Sequence, residues 1–133
     1  MPNNQGEVNH FEIPYDKAER AKKFYTEIFG WKLNEMPEAN YTLVSTGIVD
    51  DKGRPSKIGF INGGMMKRSP EIKSPVVTIT CDDIDKTFEK IKAMGGKVLV
   101  KKMPVGEMGW SAYAKDSEGN VIGLWQSNPN YRM

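Results

Sequence analysis

The chain reads as an α+β protein in which one βαβββ unit is used twice. Three observations predict this. A run with strand-like alternation is followed by a helical stripe and then by three more strand-like runs, and that order occurs twice within 133 residues. Displacing the chain by 66 positions brings Ile13 onto Ile79, Asp16 onto Asp82, Gly30 onto Gly96 and Leu33 onto Leu99, so the coincidences fall at a strand core, a helix start, a helix stop and the next strand. Each helical stripe also ends in glycine, the residue that tolerates the left-handed backbone of a helix terminus. The two modules are expected at about 8–66 and 75–127, within a single domain.

Each element has a local reason. In Asn9–Ile13, Phe11 and Ile13 point one way while His10 and Glu12 point the other, as in a half-buried strand. Asp16 with Glu19 three residues on reads as a capping box. Ala18, Ala21, Phe24, Tyr25, Ile28 and Phe29 then form an apolar stripe opposite Lys17, Arg20, Lys22 and Lys23, and Gly30 stops the helix. "WKLNEMP" and "NYTLVSTG" read as strands, "DDKGRPSK" as a turn-rich loop and "IGFING" as the fourth strand. "NGGMM", Asn62–Met66, is followed by no helix, so it is not a phosphate loop. It reads as linker, or alternatively as a lid-like segment, entering the "MMKRSPEIKSP" connection. In the second half "PVVTITCDD" is a strand, and Ile84, Phe88, Ile91 and Met94 share a helix face closed by Gly95 and Gly96. "KVLVKK" and "GWSAYAKD" are strands, "SEGN" a tight turn and "VIGLWQ" the last strand.

Composition narrows the function class. With 38% hydrophobic and 27% charged residues, a chain of this length can bury a core without disulfide or metal staples. The net charge is only +2, and the lysines are dispersed rather than gathered on a basic face, which argues against nucleic acid as a partner. Cys81 is the sole cysteine, so no intramolecular disulfide forms, which suits a reducing compartment. No apolar run approaches the roughly 20 residues of a membrane helix. "MPNNQGEVNHFEI" has neither a basic nor an apolar signal region. The expected location is the cytoplasm, with no membrane partner.

With "HFEIPYDKAERAKKFYTEIFGWKL" early and "AKDSEGNVIGLWQ" late, the chain resembles the vicinal oxygen chelate superfamily, which includes glyoxalase I, extradiol dioxygenases and the fosfomycin and bleomycin resistance proteins. The resemblance runs from about Val8 to Gln126. It is carried by A-x-x-F-Y-x-x-x-F-G-W at Ala21–Trp31 and D-x-x-G-N-x-I at Asp116–Ile122. It implies two βαβββ modules whose sheets curl around a shared cavity, with the helices outside. It also implies assembly as a homodimer, and metal ligands from the first and last strand of each module. His10 matches the first such position. Val76 stands at its repeat mate, and Gly123 of "IGL" and Gly59 of "IGF" stand where a glutamate is usual. Valine and glycine side chains have no lone pairs, and a divalent site needs about three or four protein ligands. No family-type metal site and no cofactor are therefore expected. A divalent metal enters only through a rearranged site using His10 and Glu12, whose Cα atoms lie roughly 6.6–6.8 Å apart along a strand, helped by Asp50, Asp51 or Glu107.

Alternation extends the His10 face to Val8, Glu12 and Pro14. The matching second-module face holds Val76, Thr78 and Thr80, with Gly59, Ile61, Gly123 and Trp125 facing in from the last strands. The candidate ligand-binding residues are His10, Glu12, Thr78, Trp110 and Trp125. The choice of Trp110 over Tyr113, on the other face of the same strand, rests on little. Trp125 offers a stacking surface for a flat ligand or simply fills space. Cys81 is expected to pack against the helix. The leading expectation is a glyoxalase- or bleomycin-resistance-like protein that binds a small organic molecule without a family-type metal site. The alternatives are a metal-dependent lyase or dioxygenase with a rearranged site, and a binder that sequesters a drug or metabolite without chemistry.

Overall fold

A computed structural model describes residues 5–130. These fall into two compact units: residues 10–75, and residues 76–130 together with 5–9. Each is an α+β module in which a helix follows the first strand.

In the first module, β1 (Val8–Tyr15) leads to α1 (Ala18–Phe29), β2 (Lys32–Met36), a single 3-10 turn at Pro37–Ala39, β3 (Tyr41–Ser45) and β4 (Asn62–Lys67). The strand order is β2-β3-β4-β1. β1 runs parallel to β4, and the other neighbours are antiparallel. Gly30 ends α1 with φ 72°, the left-handed conformation in which its N–H returns to the carbonyl of Thr26.

Two expectations are corrected here. The fourth strand is not "IGFING": it begins at Asn62, so "NGGMM" is strand rather than linker or lid. Residues 46–61 form a loop, held by a Val49–Pro55 bridge and by the Asp50 carboxylate, which accepts from the backbone N–H groups of Lys52 and Arg54. Ile58 is 97% exposed there, so the apolar Ile58–Ile61 run never enters the sheet. Glycine is a poor strand former, but a Cβ on Gly63 would sit 2.7 Å from the Phe11 ring, so close approach requires the glycine. The second correction concerns the start of α1. Asp16 does not cap it, because its carboxylate binds Arg68 Nε at 2.9 Å, and the N-cap position is Lys17, with no side-chain cap bond.

In the second module, β5 (Val76–Thr80) leads to α2 (Ile84–Ala93), β6 (Lys97–Val105), β7 (Gly109–Lys115) and β8 (Val121–Ser127), ordered β5-β8-β7-β6 with β5 parallel to β8. Asp83, one residue after the expected position and 66 after Lys17, caps α2 by accepting from the Lys86 N–H at 3.1 Å. Under α2 lies a core of Cys81, Ile84, Phe88, Ala112, Ala114 and Leu124. Burial pushes the Cys81 thiol above its ordinary pKa, consistent with packing rather than a reactive thiolate. The "SEGN" turn is held by the Asp116 carboxylate, which accepts from the N–H groups of Glu118 and Asn120. Among the described residues no helix is long and apolar enough to cross a membrane.

The two aspartates give a direct test of the capping assignment. Asp83→Ala should cost about 1 kcal/mol of unfolding free energy in urea. Asp16→Ala, which loses only an exposed ion pair, should cost at most about 1 kcal/mol and less than the cap. Equal losses would contradict it.

Candidate functional site

Residues paired across neighbouring strands point to the same face of a sheet. In the first module, β1–β4 pairing sets His10 beside Asn62 and Glu12 beside Gly64, and β3–β4 pairing sets Leu43 beside Gly64. Tyr41, two residues before Leu43, therefore shares the face of His10 and Glu12. Its hydroxyl lies between them, donating to Glu12 Oε2 at 2.7 Å and standing 2.9 Å from His10 Nε2. The His10 and Tyr41 rings stack with centroids 6.4 Å apart.

The proton count fixes the roles. A tyrosine hydroxyl has one proton, and here it goes to Glu12, so the oxygen accepts from His10 Nε2–H. The neutral imidazole then carries its proton on Nε2 and keeps Nδ1 as the remaining acceptor. Burial lowers the His10 pKa below 6.5, and the Glu12 carboxylate offsets part of that shift. Glu12 itself is only 7% exposed.

Gly64 makes this arrangement possible. A Cβ at that position would overlap the Tyr41 hydroxyl and ring. Gly64 is also the true last-strand position of the module. Thr78 pairs with Gly123 in the second module, Glu12 is the repeat mate of Thr78, and Glu12 pairs with Gly64. Gly59, expected at that position, is instead an exposed loop residue at φ 112°.

The second module brings together Thr78, Gly123 and Tyr113 on one face, with Thr80, Trp125 and Ser111 beside them. A Cβ on Gly123 would lie 2.8 Å from Thr78 Oγ1. The Trp125 indole N–H donates to Ser127 Oγ at 3.0 Å. Thr80 Oγ1 is buried with no hydrogen-bond partner among the described residues. Trp110 does not join this face. It pairs with Gln126 and packs on the opposite side against the α2 core, with Lys102 Nζ 5.6 Å from its ring centroid. Tyr113, not Trp110, is the β7 aromatic that shares the Thr78 face.

Of the residues singled out in the sequence, His10 and Glu12 share one face of the first module and Thr78 and Trp125 one face of the second; Tyr41 was not among them. Its role depends on the β3–β4–β1 register, which links positions 10, 41 and 64. The paired glycines Gly63 and Gly64 were the available signal, since glycine inside a strand often marks a close approach.

Residues 8–47 match the family model described as bleomycin resistance protein-like N-terminal. A protein of Vibrio parahaemolyticus provisionally named a lactoylglutathione lyase is 32% identical over 129 residues, covering 93% of each chain. The chain belongs to the glyoxalase/bleomycin resistance protein/dioxygenase superfamily. CFP32 of Mycobacterium tuberculosis, provisionally named a glyoxylase, is 29% identical over 133 residues, covering 93% of this chain. The alignment spans 47% of CFP32, so the chain covers about half the length of that relative. Methylmalonyl-CoA epimerase from Mycobacterium tuberculosis superposes with a TM-score of 0.62 over 97% of this chain and 93% of its own, at 13% identity, a likeness of fold.

The donor set does not fit the metal that the superfamily resemblance implies. Val76, Gly64 and Gly123 supply no lone pairs. His10 Nε2 and Glu12 Oε2, the rearranged pair, are both engaged by the Tyr41 hydroxyl. Among the described residues no three His, Cys, Asp or Glu side chains group so as to hold a metal ion.

Two measurements check this geometry. Gly64→Ala should destabilise the protein by about 1–3 kcal/mol through overpacking. Tyr41→Ala should relieve much of that clash, so a double-mutant cycle should be strongly non-additive; simple additivity would remove the proposed contact. Because the folded-state pKa of His10 is depressed, its contribution to stability is present above pH 6.5 and is lost as pH falls below that value. In urea melts, His10→Gln should flatten the decline in stability just below pH 6.5.

Proposed function

We propose that this superfamily member binds a small organic molecule against the wall formed by His10, Tyr41 and Glu12, without a family-type metal. The observation that supports this most is the Tyr41 hydroxyl. It sits over Gly64 and engages one atom of each of the two side chains that a rearranged metal site would need, His10 Nε2 and Glu12 Oε2. What is left is a neutral imidazole with Nδ1 as acceptor, beside a carboxylate and a phenol. These groups suit recognition of hydrogen-bond donors, and among the described residues no third His, Cys, Asp or Glu side chain joins them to complete a metal site. In the second module, the Trp125 ring favours a flat ligand group. The buried Thr80 hydroxyl has hydrogen-bonding capacity to spare.

A second reading keeps a metal-dependent lyase that uses His10 and Glu12. The provisional name of the Vibrio parahaemolyticus relative favours it. Ligation through His10 Nε2 and Glu12 Oε2 requires Tyr41 to leave its position between them.

Metal content separates the two. The proposed function predicts no stoichiometric divalent metal in the purified protein, and no rise in melting temperature on adding Ni, Zn, Mn or Fe. It also predicts that compounds found by thermal shift in metal-free buffer lose their effect in both His10→Ala and Tyr41→Phe. One metal per chain, with both metal and turnover lost in His10→Ala, would establish the lyase reading instead. Hits indifferent to both substitutions would move the ligand away from this wall.

A further inference from the structure

Phe60 is set apart from the other phenylalanines of the chain. Phe11 pairs with Trp31, Phe24 and Phe29 pair with Tyr25, and Phe88 packs in the α2 core. Among the described residues Phe60 joins neither arrangement, and it is only partly buried. What supports its ring is a glycine. The neck of the 46–61 loop keeps step with the β3–β4 pairing: the Thr46 N–H donates to Asn62 Oδ1 at 2.9 Å, and the Thr46 hydroxyl to the Ile61 carbonyl at 2.7 Å. The next pair outward is Gly47 with Phe60. A Cβ on Gly47 would lie 2.6 Å from the Phe60 ring. Cδ2 and Cε1, on opposite sides of that ring, are both at 2.8 Å, so Gly47 meets the flat of the ring rather than its edge.

This ring adjoins the polar wall. Asn62 is the strand partner of His10, and Phe60, two residues before Asn62, falls on the same side of the extended chain. Neighbouring strands lie about 4.8 Å apart and two residues advance roughly 6.6 Å, which sets the Cα atoms of His10 and Phe60 about 8 Å apart. The surroundings of the ring are apolar. Ile48, next to Gly47, is 80% exposed, and Ile58, two residues before Phe60, is exposed almost completely. A hydrogen-bonding patch at His10 and a flat apolar patch at Phe60 thus lie one short molecule apart.

Resting on the reading that a small molecule binds against the His10 wall, we infer that Phe60 is the apolar half of the same site. Its outer face stacks a planar apolar group of the ligand, and an N–H or O–H joined to that group donates to His10 Nδ1. A ring already supported from beneath by Gly47 loses little freedom when it is covered. Ring-on-ring contact adds to the area removed from water. The ligand needs both features. A purely apolar molecule would cover Nδ1 without giving it a donor, and a purely polar one would leave Phe60 in water.

Four amides separate these features. Benzamide has the donor and the ring, acetamide the donor alone, N,N-dimethylbenzamide the ring alone, and cyclohexanecarboxamide the donor with an apolar group that is not flat. Nitrogen-15 NMR titrations followed at the backbone amides of Asn62 and Gly64 give each dissociation constant. Benzamide should bind about tenfold more tightly than acetamide, and more tightly than the other two. Phe60→Ala should bring benzamide to the level of acetamide and leave acetamide unchanged. Phe60→Leu keeps apolar bulk in the fold and should remove only the preference for benzamide over cyclohexanecarboxamide. His10→Ala should abolish binding of both benzamide and acetamide. Benzamide binding that is lost in His10→Ala but unchanged in both Phe60 variants would overturn this inference and leave the wall reading standing. Benzamide binding that survives His10→Ala would remove the wall reading and this inference with it. A chain whose spectrum none of the four amides changes would also overturn the inference.

Discussion

A carboxyl group removed from water is costly unless hydrogen bonds replace its hydration, and the cost of leaving one unsatisfied is several kcal/mol. Glu12 is in that position, almost fully buried in the first strand of the module. Its requirement shapes the surrounding wall. Tyr41 reaches across from β3 to donate its proton, the strand between lacks a side chain at Gly64, and the Tyr41 oxygen can then accept from His10. One hydroxyl group ties β3 to β1 across β4.

This changes the meaning of the missing metal ligands. Taken as isolated substitutions, glycine at the last-strand positions suggests a site that has decayed. In the first module Gly64 has a use of its own, because its lack of a side chain admits the Tyr41 ring. In the second module Gly123 sits tightly against Thr78, with Tyr113 as its cross-strand neighbour, and the Thr80 hydroxyl is buried with no hydrogen-bond partner among the described residues. The two halves of the repeat share a backbone plan but have taken different solutions at equivalent positions.

Much of the plan was legible from local pattern. Period-two and helical spacing locate seven of the eight strands and both helices, and Gly30 marks the end of α1 in sequence as in structure. What was not legible depended on partners distant in sequence. The apolar Ile58–Ile61 run resembles a strand more than "NGGMMK" does, and only the contacts of Gly63 with Phe11 and of Gly64 with Tyr41 explain why the glycines are in the sheet. Asp16 has the right identity and spacing for a cap, but Arg68 claims it from the far end of β4. Trp110 and Tyr113 look equivalent by alternation alone. The β7–β8 register decides that Tyr113 shares the Thr78 face while Trp110 packs under α2.

The hydrogen-bond chain through Tyr41 is the central claim, and the solitary histidine makes it unusually accessible. A nitrogen-15 NMR titration reports on His10 alone, because the sequence contains no other imidazole. It should show a pKa below 6.5 and, in the neutral form, the tautomer with the proton on Nε2, with that preference weakened in Tyr41→Phe. A neutral ring protonated on Nδ1, or a pKa above 6.5, would contradict the account.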